Sequence, residues 1–171
     1  ATHGTYSVRL SDGSFLITPY GMDRAYLEEE DLVLVRNGMK EQGKTPSRAV
    51  RFHETIYELN PEVGAILLAH PPYVMAFGVT AAKFDARTIP ESYILLREMG
   101  KEPFGDVYND PQKAAAKFSS AVPGIIFENE CVVVTGANLL QAFDRLEVAE
   151  ATARSIILSK DIAPIVHITE E

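Results

Sequence analysis

Two kinds of hydrophobic pattern run along this chain, and the change of period marks its elements. Tyr6 to Leu10 alternates apolar and polar side chains, as a strand buried on one face does. Ser11-Asp12-Gly13-Ser14 supplies turn chemistry, and Phe15 to Thr18 resumes as a second strand until Pro19-Tyr20-Gly21 interrupts it. Leu32 to Arg36 reads as a buried strand, and Asn37-Gly38 as a hairpin turn because both residues tolerate positive φ. From Ser47 the period lengthens. Ala49, Phe52, Ile56 and Leu59 fall on one helical face, which ends at Pro61. Ala65 to Ala69 is a continuous apolar run of strand length and predicts a central strand, after which Pro71-Pro72 opens a helix toward Val79.

The second half continues with an extended Thr88 to Pro90, a short helix from Glu91 to Met99, and an exposed loop from Lys101 to Asn109. Asp110 is an N-cap and Pro111 the first residue of a helix expected to reach Pro123-Gly124. Gly124 to Phe127 and Cys131 to Val134 read as strands joined at Glu128-Asn129-Glu130. Asn138 caps a long last helix whose stripe is Leu139, Leu140, Phe143, Leu146, Ala149, Ala153, Ile156 and Ile157. Strict alternation of strand and helix is absent. The pattern therefore predicts a three-layer α/β/α domain with a mixed, largely antiparallel central sheet, spanning residues 1–171 as one unit.

Composition narrows the partners. Sixteen Lys and Arg face 24 Asp and Glu, a net charge of −8 that repels nucleic acid and anionic membranes but leaves room for a local basic pocket. No apolar run approaches the roughly 20 residues of a membrane span. Cys131 is the single cysteine, so no internal disulfide forms, and a reducing, cytoplasmic setting is expected.

Four histidines, His3, His53, His70 and His167, carry the richest chemistry, yet none forms a His-x-His or HExxH pair. Glycine-rich phosphate loops and a GxSxG elbow are absent. His70 leaves the end of the predicted central strand, a common position for active-site groups, with a hydrogen-bonded core histidine as the alternative. His53 lies just beyond its helix's apolar face and reads as a packing residue. Glu128 and Glu130 form either a solvated hairpin tip or a carboxylate pair. Arg48 and Arg51 follow Thr45 and Ser47 at a helix start, where an anion could be held; capping with surface charge is the other reading.

Taken in order, these segments resemble the class II aldolase/adducin family. Gly4-Thr-Tyr-Ser-Val-Arg9 is similar to its Gly-Asn-x-Ser-x-Arg opening, and Phe15-Leu-Ile-Thr-Pro-Tyr-Gly21 to its Phe-Leu-Ile-Thr-Pro-x-Gly segment. Pro46-Ser47, Phe52 to Tyr57 and Asn60-Pro-Glu-Val-Gly-Ala65 correspond to the family's helix and the run after it. His70-Pro-Pro-Tyr73 resembles His-Ser-Pro-Tyr, and Ile125 to Ala142 aligns without a gap to the last conserved stretch. Members usually carry a helix ahead of the first strand, so the resemblance implies a missing segment before Ala1.

The resemblance implies sugar-phosphate aldolase, epimerase or decarboxylase chemistry at a zinc or other divalent metal held by three histidines, with an acidic residue beside it. The corresponding positions here are Leu68, His70, Glu130 and Ala49, so only His70 and Glu130 keep any capacity for a metal. No cofactor is expected unless that site is partly retained. Where members bind phosphate, this chain has Gly4-Thr5, Tyr20-Gly21 and Ser47-Arg48: Tyr20 would crowd the pocket, and Arg48 adds a donor suited to carboxylate or phosphate. Tyr93 falls near a tyrosine that aldolases supply from a neighbouring subunit, with Glu91 as a further acid, and a homotetramer follows from the same resemblance. Two functional readings result. In one, loss of the ligand set leaves a non-catalytic binding homologue, as the likeness to adducin implies. In the alternative, a lyase acts on a small phosphorylated sugar or hydroxy acid through a site rebuilt around His70, Glu130, Glu91 and Tyr93.

Overall fold

A computed structural model describes residues 2–169; Ala1, Glu170 and Glu171 lie outside them. The elements in order are β1 (Thr5–Arg9), β2 (Phe15–Ile17), β3 (Val33–Arg36), β4 (Met39–Lys40), α1 (Val50–Leu59), β5 (Ala65–Ala69), α2 (Pro72–Gly78) and α3 (Pro90–Leu96). They continue with β6 (Gly100–Glu102), α4 (Asp106–Asn109), α5 (Pro111–Ala115), β7 (Gly124–Phe127), β8 (Cys131–Gly136) and α6 (Leu139–Ser159). Two short 3-10 turns, Arg24–Tyr26 and Glu29–Asp31, bridge β2 and β3.

The strands form one eight-stranded sheet in the order β4-β3-β2-β1-β5-β8-β7-β6. Every pair is antiparallel except β6 with β7. Because side chains alternate across a strand, the sheet has two distinct faces. Ile17, Val35, Ile66, Phe127 and Val133 pack beneath α1, α4 and α5 with Phe52, Ile56 and Phe118. On the other face Ala65, Leu67, Ile126, Val132 and Val134 meet Val74, Phe77, Leu96, Ala142 and Ala149 from α2, α3 and α6. This is the three-layer α/β/α arrangement the pattern predicts. The approach of α6 to the sheet is close: a Cβ at Gly136 of β8 would lie 2.5 Å from the Ala142 amide nitrogen.

Three expectations are corrected. Lys101 to Asn109 is ordered rather than a loop: it contains β6, the parallel edge strand, and α4, which buries Val107. A three-residue edge strand that half-buries Lys101 and Glu102 has no hydrophobic period to betray it. The helix opened by Asp110 stops at Ala115, because the chain reverses at Ser119–Val122 through reciprocal backbone hydrogen bonds of 3.2 Å. Finally, Leu139, Leu140 and Phe143 are 50%, 69% and 52% exposed, so the stripe of α6 reaches the core only from Ala142 onward.

Candidate functional site

β1 turns three polar side chains, Thr5, Ser7 and Arg9, toward α1, where a typical strand would bury apolar ones. At its near end the hydroxyls of Thr5 and Ser47 share a 2.5 Å hydrogen bond. Ser47 is placed by the exit of β2: its N–H donates to the Thr18 carbonyl at 3.0 Å, and Tyr20 N–H donates to the Thr45 carbonyl at 2.9 Å. The two loops therefore run together and carry Tyr20, Gly21 and Ser47 to the same place.

A pocket of about 290 Å³ opens there, lined by Thr2, His3, Gly4, Thr5, Tyr20, Gly21, Arg24, Ser47, Arg48, Leu68, His70 and Tyr108. All six anion-binding residues expected from the sequence come together in it, along with His70. Tyr20 does not fill the cavity; 57% exposed, it stands at the rim. Gly4 has φ +89°, which a side chain would resist, and its carbonyl accepts from Arg24 Nε at 3.1 Å and Nη2 at 2.8 Å. Arg24 also donates to the Met22 carbonyl at 2.8 Å, so its guanidinium is a clasp on the N-terminal strand.

His70 leaves β5 at the pocket wall, with the His3 ring 6.0 Å away, centroid to centroid, and nearly perpendicular. Partial burial holds His70 below the ordinary histidine value, His3 pushes in the same direction, and a hydrogen bond to the Glu130 backbone carbonyl opposes them. The Glu130 carboxylate accepts from Gly105 N–H at 3.0 Å, at the start of α4. Tyr108 of α4 lies between: burial, with the Cys131 and Glu130 groups, pushes its phenol upward, and the Arg48 guanidinium sits 5.4 Å from its ring centroid.

This set does not fit the three-histidine metal centre that the family resemblance implies. Leu68 is a core residue, 3% exposed, and Glu130 is engaged with the Gly105 amide. Among the described residues no three His, Cys, Asp or Glu side chains come together as a metal would need. Tyr93 and Glu91 are not at this pocket. Tyr93 lines a separate cleft with Lys83, Asp85, Arg87 and Arg97, and Glu91 is exposed in the first turn of α3.

Sequence reasoning missed His3, Arg24 and Tyr108. His3 adjoins the Gly4-Thr5 motif, which was its one available signal; Arg24 and Tyr108 reach the pocket only through folding. His53, read as a packing residue, is fully buried, and its Nδ1 shares a 2.7 Å hydrogen bond with Ser7 Oγ.

Comparisons with known proteins bear on the family. The model for the class II aldolase and adducin N-terminal domain matches residues 1–157. A 3-oxo-tetronate 4-phosphate decarboxylase from Pectobacterium atrosepticum is 33% identical over 165 residues, 92% of this chain and 75% of that protein. An L-fuculose phosphate aldolase from Methanococcus vannielii is 30% identical over 155 residues, covering 88% of this chain and 83% of the relative. Among solved structures, YgbL from Escherichia coli superposes with a TM-score of 0.86 at 27% identity, over 98% of this chain and 84% of that one. With the family model matched along nearly all its length, the chain belongs to the class II aldolase and adducin family.

Proposed function

We propose that this protein is a lyase that breaks or forms a carbon–carbon bond beside a carbonyl group in a small phosphorylated sugar or sugar acid. The observation that carries this reading is the pocket itself: in a chain of net charge −8, it gathers the Thr5 and Ser47 hydroxyls, Arg48, His3 and His70 around about 290 Å³. Relatives named for decarboxylation of 3-oxo-tetronate 4-phosphate and for cleavage of L-fuculose phosphate support a catalytic rather than a purely binding role. Both named reactions pass a bonding electron pair onto a carbonyl oxygen, so an enolate is the common intermediate.

In this reading Gly4, Thr5, Gly21 and Ser47 surround the phosphate, and His70 faces the reacting end. Tyr93 and Glu91 belong to a neighbouring subunit's site in a homotetramer, which accounts for their distance from His70 within one chain. The test is turnover of 3-oxo-tetronate 4-phosphate and L-fuculose phosphate, read as released carbon dioxide or aldehyde. His70→Ala is expected to lower kcat by about 100-fold or more with an unchanged Tm. Equal rates in wild type and variant would remove His70 from the reaction, and a monomer by light scattering would remove Tyr93.

A further inference from the structure

Cleaving a bond next to a carbonyl requires positive charge where the oxygen becomes an enolate. The ligand positions that would hold a metal for this purpose are occupied by Leu68, and by Glu130 bound to the Gly105 amide. Two arginines border the pocket, and they differ in what they have left to give. Arg24 already donates from Nε, Nη1 and Nη2 to the carbonyls of Gly4 and Met22. The Arg48 side chain has no hydrogen bond or ion pair with a described residue; its guanidinium lies over the face of Tyr108. Arg48, Tyr108 and His70 line the same cavity.

We propose that Arg48 takes the place of a metal ion at the reacting carbonyl oxygen, and that the site works without a bound divalent cation. The inference rests on the lyase reading above. A guanidinium suits the task because its planar fork matches the two oxygens of an enediolate and its charge is permanent. Tyr108 acts as a positioning residue by limiting where the fork can point. His70, which lines the same cavity, supplies the proton traffic.

In the cleavage direction, His70 removes the proton of the β-hydroxyl and the carbon–carbon bond pair moves onto the carbonyl oxygen opposite Arg48. The aldehyde leaves, and His70 returns the proton to the enolate carbon. Nothing is oxidised or reduced, and no co-reactant is consumed. For a β-keto acid the same electron pair is released with carbon dioxide, and water supplies the final proton.

Two probes test this in excess EDTA. Oxalate, a planar dianion resembling an enediolate, is titrated calorimetrically; solvent deuterium exchange into dihydroxyacetone phosphate is followed by NMR. The expected result is saturable oxalate binding and measurable exchange by the wild type. Arg48→Ala should weaken binding by about tenfold or more and slow exchange by about 100-fold, with an unchanged Tm. Arg48→Lys keeps the charge without the fork and should recover only part of either. Activity or binding that appears only with added zinc or manganese, or an Arg48→Ala variant equal to wild type, overturns the role of Arg48 and leaves the lyase reading standing. A wild type that engages neither probe, with or without metal, sinks the lyase reading and this inference together.

Discussion

Ser7, His53 and Tyr57 form a buried polar knot that a strand-and-helix interface of this kind does not need for packing. Ser7 Oγ lies 2.7 Å from His53 Nδ1 and 2.8 Å from the Tyr57 hydroxyl. Arg9 closes the far end by donating to the Tyr57 carbonyl at 2.5 Å and the Asn60 carbonyl at 3.0 Å. His53 Nε2 and Arg9 Nε are buried with no hydrogen-bond partner, so the knot carries a desolvation penalty. Burial lowers the His53 pKa from 6.5 to about 3. Unfolding restores the ordinary value, so between those limits the unfolded chain binds the extra proton. Stability from this residue is complete above pH 6.5 and declines as pH falls toward 3. In His53→Gln, melting temperature plotted against pH should be flatter over that interval than in wild type. Parallel curves would show that His53 stays neutral for some other reason or is not desolvated.

At the scale of elements, α2 shows how the sequence solves a local problem with a distant residue. Pro71 and Pro72 bring no N–H to the helix start, which leaves Tyr73 and Val74 as the amides to be satisfied. The Glu150 carboxylate of α6 accepts from both, at 3.1 Å and 2.9 Å. Glu150→Gln should cost about 1–2 kcal/mol in chemical denaturation, and a neutral result would mean water replaces the carboxylate without loss. The two prolines announce the helix start in the sequence, but its acceptor lies 77 residues away from Tyr73 and has no local signature. The same distinction governs the rest. β5, β7 and the hairpin at Asn37-Gly38 are legible because their apolar runs and turn residues are contiguous. β6 is not, since its partner supplies all its pairing and its own residues are half-buried. In the pocket, motif positions such as Ser47 and His70 are visible in sequence, whereas Tyr108 enters through a helix that only folding reveals.

The molecule as a whole is uneven in how it covers its sheet. α6 shields β5 and β8, but beside it Tyr6, Val8, Leu16, Leu32 and Leu67 form an open apolar hollow with Leu139, Leu140, Phe143 and Leu146. Such a surface drives association. Replacing both Leu140 and Phe143 with Glu should raise the protein concentration tolerated before precipitation, while leaving Tm nearly unchanged because these side chains are more than half exposed. A large drop in Tm would instead make them part of the core. No helix among the described residues is long and apolar enough to cross a membrane.

The order of strands has a last consequence. β1 to β4 form a meander of neighbours in sequence, whereas β1 joins β5 across some 60 residues, with Thr5 opposite Leu68. That junction is the seam between two separately wound halves of the sheet, and the pocket lies across it: Gly4, Thr5, Tyr20 and Arg24 stand on one bank, Leu68, His70 and Tyr108 on the other. A ligand held from both banks acts as a staple. Its binding energy resists the parting of the halves, so occupancy strengthens a long-range pairing of the chain. The apparatus for recognising the ligand exists only after the seam has closed, which makes binding a report on completed folding.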